Sequence, residues 1–243
     1  MKFFEQAQRK EEKEAEIHPP EFKLEEFEQS REEFESLVKQ LAPAIKNHEY
    51  NIIVGDDASG RIPTLVLGGL MKEIYKKDKV IPPQILFFGG RHLIYEENLV
   101  SDFFQKLEKQ TEIKISSSRA LVATEYMYTG TTIVSFVKTF KKLGLSCDVA
   151  ALSAEGPERY YKDKSGYLNK IYIGNALGGA SPFYGSRIYA GAKQRPEDKI
   201  FSSPLRVYRE LVIAARKDAK RMIDYLKQIY DREKEKIEKQ DSV

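Results

Sequence analysis

The sequence predicts an α/β fold, a doubly wound and mainly parallel sheet with an N-terminal helical extension and a long C-terminal helix. Apolar runs typical of strands alternate with runs of helical spacing from Asn51 to Gly174, in the order β-α-β-α-β-α-β-β. At two places a short apolar strand leads into a polar turn with glycine and then into a helix. Parallel strands present such turns at the carboxyl edge of their sheet, where ligands of open α/β sheets bind.

The composition narrows the class of protein. The chain has 243 residues, enough for one large domain or one domain with appendages, and its hydrophobic share of 41% supplies a core. A net charge of +3 gives no general attraction to nucleic acid, and no apolar run reaches the length of a membrane span. Cys147 is the single cysteine, so an intrachain disulfide is excluded. Without a secretory signal, the sequence predicts a cytoplasmic protein with no nucleic-acid or membrane partner.

Three segments are predicted along the chain. Residues 1–20 form a charged, flexible leader. The main domain covers 21–203 and includes a helix that a Ser-x-x-Glu capping box opens at Ser30 and that Pro43 kinks or ends. A C-terminal helix starts at Pro204 and continues into a charged tail that ends at residue 243. This helix carries a heptad-like seam, which packs either on the body of the chain or on a second subunit in a homodimer: Ala215, Ala219, Met222, Leu226 and Ile229.

The stretch over residues 120–132 is the more informative of the two turns. An apolar Ala-Leu-Val-Ala strand is followed by Thr124 and Glu125, and Thr-Gly-Thr-Thr then leads into a helix. A helix start offers unbonded N–H groups and the positive end of the helix dipole, which favour a phosphate monoester. The carboxylate of Glu125 would repel phosphate but accepts hydrogen bonds from ribose hydroxyls. The stretch therefore predicts a ribose 5-phosphate site, with an ordinary strand–loop–helix turn as the alternative.

A second turn follows the apolar strand that ends at Gly55. It reads Asp-Asp-Ala-Ser-Gly-Arg over residues 56–61, where Gly60 permits a close approach of the backbone to a ligand. Pro63 suits the first turn of the helix that follows. Two anion-binding turns on one sheet edge suit a ligand with two separate phosphate groups, although a solvated Asp-Asp turn is the alternative. The sequence has no Gly-x4-Gly-Lys-[Ser/Thr] loop and no Gly-x-Gly-x-x-Gly turn that would compete.

In their order and separation, these two turns resemble those of the type I phosphoribosyltransferases. In that family four apolar residues precede two acids, three variable residues and Thr-Gly-x-Thr, and a pyrophosphate loop often reads Gly-x-Asp-x-x-Gly. Gly55, Asp57 and Gly60 match the pyrophosphate loop, and Glu125 falls on the second acid of the other motif. Thr124 stands where the family has its first acid, which is a departure. The resemblance covers roughly residues 35–187.

The resemblance implies transfer of ribose 5-phosphate from phosphoribosyl pyrophosphate (PRPP) to a small-molecule acceptor, most simply a nucleobase, with Mg²⁺ as cofactor. Thr124 and Glu125 would bind the ribose, and Glu125 and Arg91 would be the catalytic residues. Asp57 would reach Mg²⁺ through water. The 5-phosphate would be bound by Thr129, Gly130, Thr131 and Thr132. The pyrophosphate would be bound by Asp57, Ala58, Ser59, Gly60 and Arg61.

The acceptor and the chemistry itself stay open at this point. Arg91 follows the strand Gln84–Phe88 and a glycine pair, where it would meet the leaving group or simply lie on the surface, and His92 is a weaker candidate for that role. Tyr128 replaces an acid that some purine-specific members carry, which disfavours hypoxanthine or guanine as acceptor. Because Thr124 is uncharged, two alternatives remain: a non-catalytic regulatory protein that binds PRPP or a nucleotide, and a scaffold with vestigial phosphate loops.

Overall fold

The computed structural model describes residues 17–56, 59–88, 97–111, 113–156, 169–178, 182–185, 192–195, 198–204 and 209–242. Its helices are α1 (Glu25–Gln29), α2 (Arg31–Lys46), α3 (Arg61–Lys77), α4 (Glu97–Gln110), α5 (Thr131–Lys142), α6 (Pro182–Gly185) and α7 (Arg209–Asp241). Its strands are β1 (Ile52–Asp56), β2 (Gln84–Phe88), β3 (Arg119–Met127), β4 (Ser146–Ala154), β5 (Ile171–Asn175), β6 (Ala192–Arg195) and β7 (Asp198–Pro204).

Five parallel strands form the centre of the sheet, in the order β5-β4-β3-β1-β2. Strand β7 continues the sheet beyond β2 in the antiparallel direction, through one pairing of Phe88 with Phe201, and β6 pairs with β7. Helices cover both faces of the parallel strands. This arrangement confirms the predicted doubly wound α/β fold with a mainly parallel sheet, and α7 confirms the predicted long C-terminal helix.

The two faces of the sheet bury separate clusters of side chains, because successive strand residues point to opposite faces. Ile53, Leu121 and Ala123 face the cluster shared with α1, α2, α3 and α7. Ile52 and Val122 face the cluster shared with α4 and α5. The N-terminal and C-terminal helices therefore lie on the same face of the sheet, and the second face belongs to the helices between β2 and β4.

Helix α7 packs along α2 and α3, so its seam faces the body of the same chain. All five seam residues named above are buried in that cluster. Buried Asp218 also ties α7 to the N-terminal extension, because its Oδ2 atom accepts hydrogen bonds from the backbone N–H groups of Lys23 (2.9 Å) and Leu24 (2.8 Å), the two residues before α1. Although α7 has 33 residues, no helix within the described ranges is both long and apolar enough to cross a membrane.

Three local predictions were wrong. The Ser30 hydroxyl donates to the carbonyl oxygen of Glu26 (2.9 Å) instead of capping α2, because α1 ends immediately before it. Helix α2 does not end at Pro43 but continues to Lys46, because a proline so close to the C-terminus interrupts little of the hydrogen-bond ladder, and a kink at Pro43 stays a prediction. Pro204 ends β7 and does not open the C-terminal helix, which begins at Arg209. The segment boundaries at residues 20 and 203 stay predictions.

Candidate functional site

The candidate site lies where the strand order of the sheet reverses. Strand β1 pairs with β2 on one side and with β3 on the other, and all three are parallel. The chain therefore passes from β1 to β2 on one side of β1, and then crosses over to β3 on the other side. In open α/β sheets, the carboxyl ends of two such strands flank the crevice that binds ligands. The two turns singled out in the sequence, after β1 and after β3, are the turns that border this crevice.

In the turn after β3, the backbone N–H of Thr131, the first residue of α5, donates a long hydrogen bond of 3.4 Å to the Thr129 hydroxyl oxygen. Gly130 occupies the N-cap position with φ of 70°, a left-handed conformation that favours glycine. The hydroxyls of Thr129 and Thr131 lie 2.9 Å apart, both side chains are exposed, and Thr132 is half-buried. Backbone N–H groups in the first turn of a helix lack intrahelical acceptors. Backbone and hydroxyl donors thus converge at one exposed point, as an anion site requires.

The turn after β1 is described in part. Ser59 is half-buried, Gly60 is buried as the N-cap of α3, and Asp57 and Ala58 lie outside the described residues. The guanidinium of Arg61, the first residue of α3, lies 4.5 Å from the centre of the Phe87 ring. This stacking holds Arg61 at the carboxyl edge of the sheet, beside the predicted pyrophosphate turn.

Gly55 precedes this turn and is required by packing. A Cβ atom at this position would lie 2.7 Å from Cδ1 of Phe87 and 2.8 Å from Oγ1 of Thr64. The glycine therefore allows α3 and the Phe87 ring, which carries Arg61, to approach β1. Thr64 is fully buried, and its hydroxyl oxygen finds no partner among the described residues.

Gly55→Ala is expected to lower the free energy of unfolding by about 1–3 kcal/mol, because the added methyl overpacks the Phe87 ring. Urea unfolding of the two proteins measures the change. Phe87→Leu in the same background supplies the control, since a smaller side chain relieves the clash and the two effects should then be less than additive. Additive losses would mean that the clash lies elsewhere.

Strand β3 continues four residues beyond the end predicted from its apolar run. Thr124 and Glu125 both lie inside the strand, each 1% exposed, and β3 pairs with β4 as far as Met127. Adjacent strand residues point to opposite faces, so the two side chains leave the sheet on different sides. Glu125 shares the face of Ala123 and α2, and the structure does not bring Thr124 and Glu125 together on one face.

Glu125 is held by the segment after β5. Its Oε1 atom accepts a hydrogen bond of 2.7 Å from the backbone N–H of Phe183, which is itself buried against Phe27 with ring centres 5.0 Å apart. Phe183 thus packs against the N-terminal helix α1. Beside Glu125 lies a cavity of about 70 Å³. Its described lining consists of Gln29, Ser30, Glu33, Glu125, Leu152, Ser153 and Pro182.

Sequence reasoning missed Glu33 and Ser153 as parts of a site. Glu33 carried a signal, since it stands three residues after Ser30, but that spacing was assigned to a helix cap. Ser153 carried none, because it lies at the end of an apolar strand. Only the packing of α2 against β4 and β5 brings these residues beside Glu125.

Of the three remaining side chains singled out in the sequence, only Tyr128 belongs to the described residues. Arg91 and His92 lie outside the described residues, so their roles stay predictions. Tyr128 is 61% exposed at the start of the turn after β3. Partial burial raises the pKa of its neighbour Tyr126, and the carboxylate of Glu155 raises it further.

The described residues offer no preformed metal cage. No group of three His, Cys, Asp or Glu side chains within the described ranges is arranged to hold an ion. Mg²⁺ commonly binds through one or two carboxylates together with substrate phosphates and water. Such binding requires fewer ligands from the protein than a complete metal cage. Asp57, the residue predicted to reach Mg²⁺, lies outside the part of the chain that the structure describes.

Comparison with known proteins gives a distant structural neighbour. No family model matches the chain, and no curated protein sequence matches it. A hypoxanthine-guanine phosphoribosyltransferase from Schistosoma mansoni, solved in complex with IMP, superposes on 59% of this chain at 14% sequence identity with a TM-score of 0.37. The match spans 64% of the length of that neighbour. At this TM-score and identity the neighbour carries no argument about function, which has to rest on the residues of this chain.

Proposed function

We propose that this protein is a cytoplasmic phosphoribosyltransferase that transfers ribose 5-phosphate from PRPP to a small acceptor and releases pyrophosphate. The observation that carries the proposal is the position of two strand–turn–helix junctions on neighbouring parallel strands, at the point where the strand order reverses. One junction suits a phosphate monoester, and the other has the spacing of a pyrophosphate turn. PRPP carries both groups on one ribose.

The 5-phosphate would bind at the start of α5. Thr129, Gly130, Thr131 and Thr132 would surround it with backbone N–H groups and hydroxyls, helped by the helix dipole. The exposure of Thr129 and Thr131 leaves this point open to a ligand. No basic residue is needed next to the phosphate, because the donors are fixed by the backbone.

The pyrophosphate would bind at the turn before α3. Its proposed ligands are Asp57, Ala58, Ser59, Gly60 and Arg61. Mg²⁺, reached from Asp57 through water, would supply positive charge to the pyrophosphate oxygens when bound. Arg91 would approach the leaving group from the segment after β2, and Arg61 is already held at this edge by the Phe87 ring.

The proposed reaction displaces pyrophosphate from C1 of the ribose through an oxocarbenium-like state. Such a state carries positive charge on the ribose, and pyrophosphate leaves with negative charge. The protein would act by positioning and by electrostatics. Glu125 would hold the ribose hydroxyls and place a negative charge near the sugar, while Arg91 would offset the charge on the leaving group.

A specific observation also favours the alternative, a non-catalytic regulatory protein that binds PRPP or a nucleotide. Glu125 is 1% exposed and one of its oxygens accepts the Phe183 N–H, so the carboxylate already serves a contact inside the protein. Thr124, in place of an acid, points to the opposite face. Measuring pyrophosphate release with a panel of bases, amines and peptides separates the two functions, because only an enzyme releases pyrophosphate.

PRPP is expected to bind, and to bind more tightly with Mg²⁺, because the ion offsets the charge of the pyrophosphate. Within this site, Thr129→Val should weaken ribose 5-phosphate about tenfold through the loss of one hydroxyl donor. Gly60→Val should instead weaken pyrophosphate, since a branched side chain obstructs the backbone approach. Isothermal calorimetry with each ligand measures both effects.

Thr129→Ser is the matched control, because it keeps the hydroxyl and should retain the affinity for ribose 5-phosphate. Circular dichroism verifies that every variant is folded. Equal weakening of both ligands by each folded variant would contradict the assignment of the two turns. Undetectable PRPP binding with and without Mg²⁺ would remove the proposed function altogether.

A further inference from the structure

The charged groups in the described lining of the cavity beside Glu125 are all carboxylates. Glu33 and Glu125 contribute two carboxylates, and Ser30 and Ser153 contribute hydroxyls. Among the lining residues that the structure describes there is no lysine, arginine or histidine. Carboxylates accept hydrogen bonds and attract positive charge, whereas they repel anions. The described lining therefore suits a group that donates hydrogen bonds and excludes a carboxylate or a phosphate.

Two polar atoms of these lining residues lack partners within the described structure. They are Oε2 of Glu33 and Oγ of Ser153, and both atoms are buried. Ser153 as a whole is 4% exposed. A buried polar atom without a hydrogen bond is destabilising, so a ligand that supplies donors to these two atoms stabilises the cavity.

Glu125 gives the cavity its connection to the proposed ribose site. The Phe183 N–H fixes one of its oxygens, and Glu125 lies on β3 four residues before Thr129 and six before the start of α5. The other side of the cavity is formed by Ser30 and Glu33 of the N-terminal helices. A group bound there would lie between the sheet edge and the helix that precedes β1.

We propose that this cavity receives the amino end of the acceptor, and that the acceptor is a neutral or cationic compound that presents an NH2 group, as an amine, a primary amide or an amidine, and bears no carboxylate. This inference rests on the proposed function. It narrows the substrate class: Glu33 accepts a hydrogen bond from the NH2 group, Ser153 completes its hydrogen bonds, and the two carboxylates reject acceptors that are themselves carboxylic acids.

Matched pairs of small molecules test the proposal without turnover, since PRPP is left out of these titrations. Cytosine and uracil have similar shapes, but an amino group in one replaces a carbonyl oxygen in the other. Nicotinamide and nicotinate differ by an amide against a carboxylate. Calorimetric titration into the full-length protein should show cytosine bound at least about tenfold more tightly than uracil, and nicotinamide likewise over nicotinate. In each pair the disfavoured compound has an oxygen where the other has an NH2 group, and that oxygen would meet the carboxylate of Glu33 without a hydrogen bond.

Glu33→Gln tests the named residue. The change keeps the size of the side chain and removes its charge, so the preference for cytosine and for nicotinamide should fall by about tenfold. Glu32→Gln is the matched control, since Glu32 lies on the same turn of α2 but is exposed and is not part of the lining, and it should leave both preferences intact. Thermal unfolding confirms that both variants are folded.

Four results overturn the inference: equal affinity within each pair, a preference for nicotinate, no binding of any probe, or preferences that survive Glu33→Gln. A separate titration with PRPP distinguishes this failure from failure of the proposed function. If PRPP binds and no amino preference appears, the acceptor class is wrong and the transferase proposal stands. If the preference appears and PRPP does not bind, the cavity still takes N–H donors, and the transferase proposal falls.

Discussion

Asp148→Ala is expected to lower the free energy of unfolding by about 3–5 kcal/mol, because it removes the anion from a buried network and takes one acceptor from each of its donors. Asp148 is fully buried near the start of β4. Its carboxylate accepts hydrogen bonds from the Tyr50 hydroxyl (2.7 Å) and the Lys170 backbone N–H (3.2 Å), and it forms an ion pair with Arg119 (2.7 Å). Denaturant unfolding measures the loss.

The electrostatics of this network explain the size of the effect. Burial raises the pKa of Asp148 above its usual range, and the hydrogen bond from Tyr50 and the charge of Arg119 act in the opposite direction. Burial likewise raises the pKa of Tyr50, which keeps its hydroxyl protonated as a donor. Arg119 also pairs with Glu49, so truncating Asp148 leaves the guanidinium with one carboxylate instead of two.

Asp224→Ala is the matched control for stability. Asp224 also forms an ion pair, with Lys220 at 2.8 Å, but its side chain is 57% exposed. Solvent screens such a pair, and its loss should change stability by at most about 0.5–1 kcal/mol. Comparable losses in the two variants would show that burial does not govern the Asp148 network. Because this network lies at the amino edge of the sheet, opposite the candidate site, folded Asp148→Ala protein should keep its PRPP affinity.

Local sequence patterns were sufficient for the centre of the fold. The strands of a parallel sheet are buried on both faces, so they occur as short apolar runs that are easy to recognise between helices. The run that ends at Gly55, the helix from Ile62 and the strand Gln84–Phe88 follow this pattern, and the structure confirms each element. The alternation of these elements was enough to predict that both polar turns lie at one edge of the sheet.

Features that depend on distant partners were not predicted. Strand β3 extends through Thr124 and Glu125 because β4 continues beside it as far as Ala154, which the apolar pattern of β3 alone cannot indicate. The backbone just before α1 is held by Asp218, a residue 194 positions away from Leu24. The cavity depends on Glu33, whose position beside β4 follows from the packing of α2 on the sheet.

Glu125→Gln is expected to slow pyrophosphate release about a hundredfold if the protein is a transferase, while PRPP affinity falls much less. The carboxylate would oppose the positive charge that develops on the ribose in the transition state, so its loss affects the chemical step more than ligand binding. Glutamine keeps the size of the side chain, and its amide oxygen can accept the Phe183 N–H, so the fold should be preserved. Steady-state release of pyrophosphate and calorimetry with PRPP provide the two measurements.

Glu155→Gln is the matched control for this change, because it removes the same charge from an exposed residue just after β4. Its turnover should stay within about twofold of the wild-type value, because water screens the charge of an exposed side chain. Full activity in Glu125→Gln would show that another group meets the ribose. If the wild-type protein binds PRPP but releases no pyrophosphate with any acceptor, the regulatory alternative holds, and Glu125→Gln should then weaken PRPP binding without any kinetic effect.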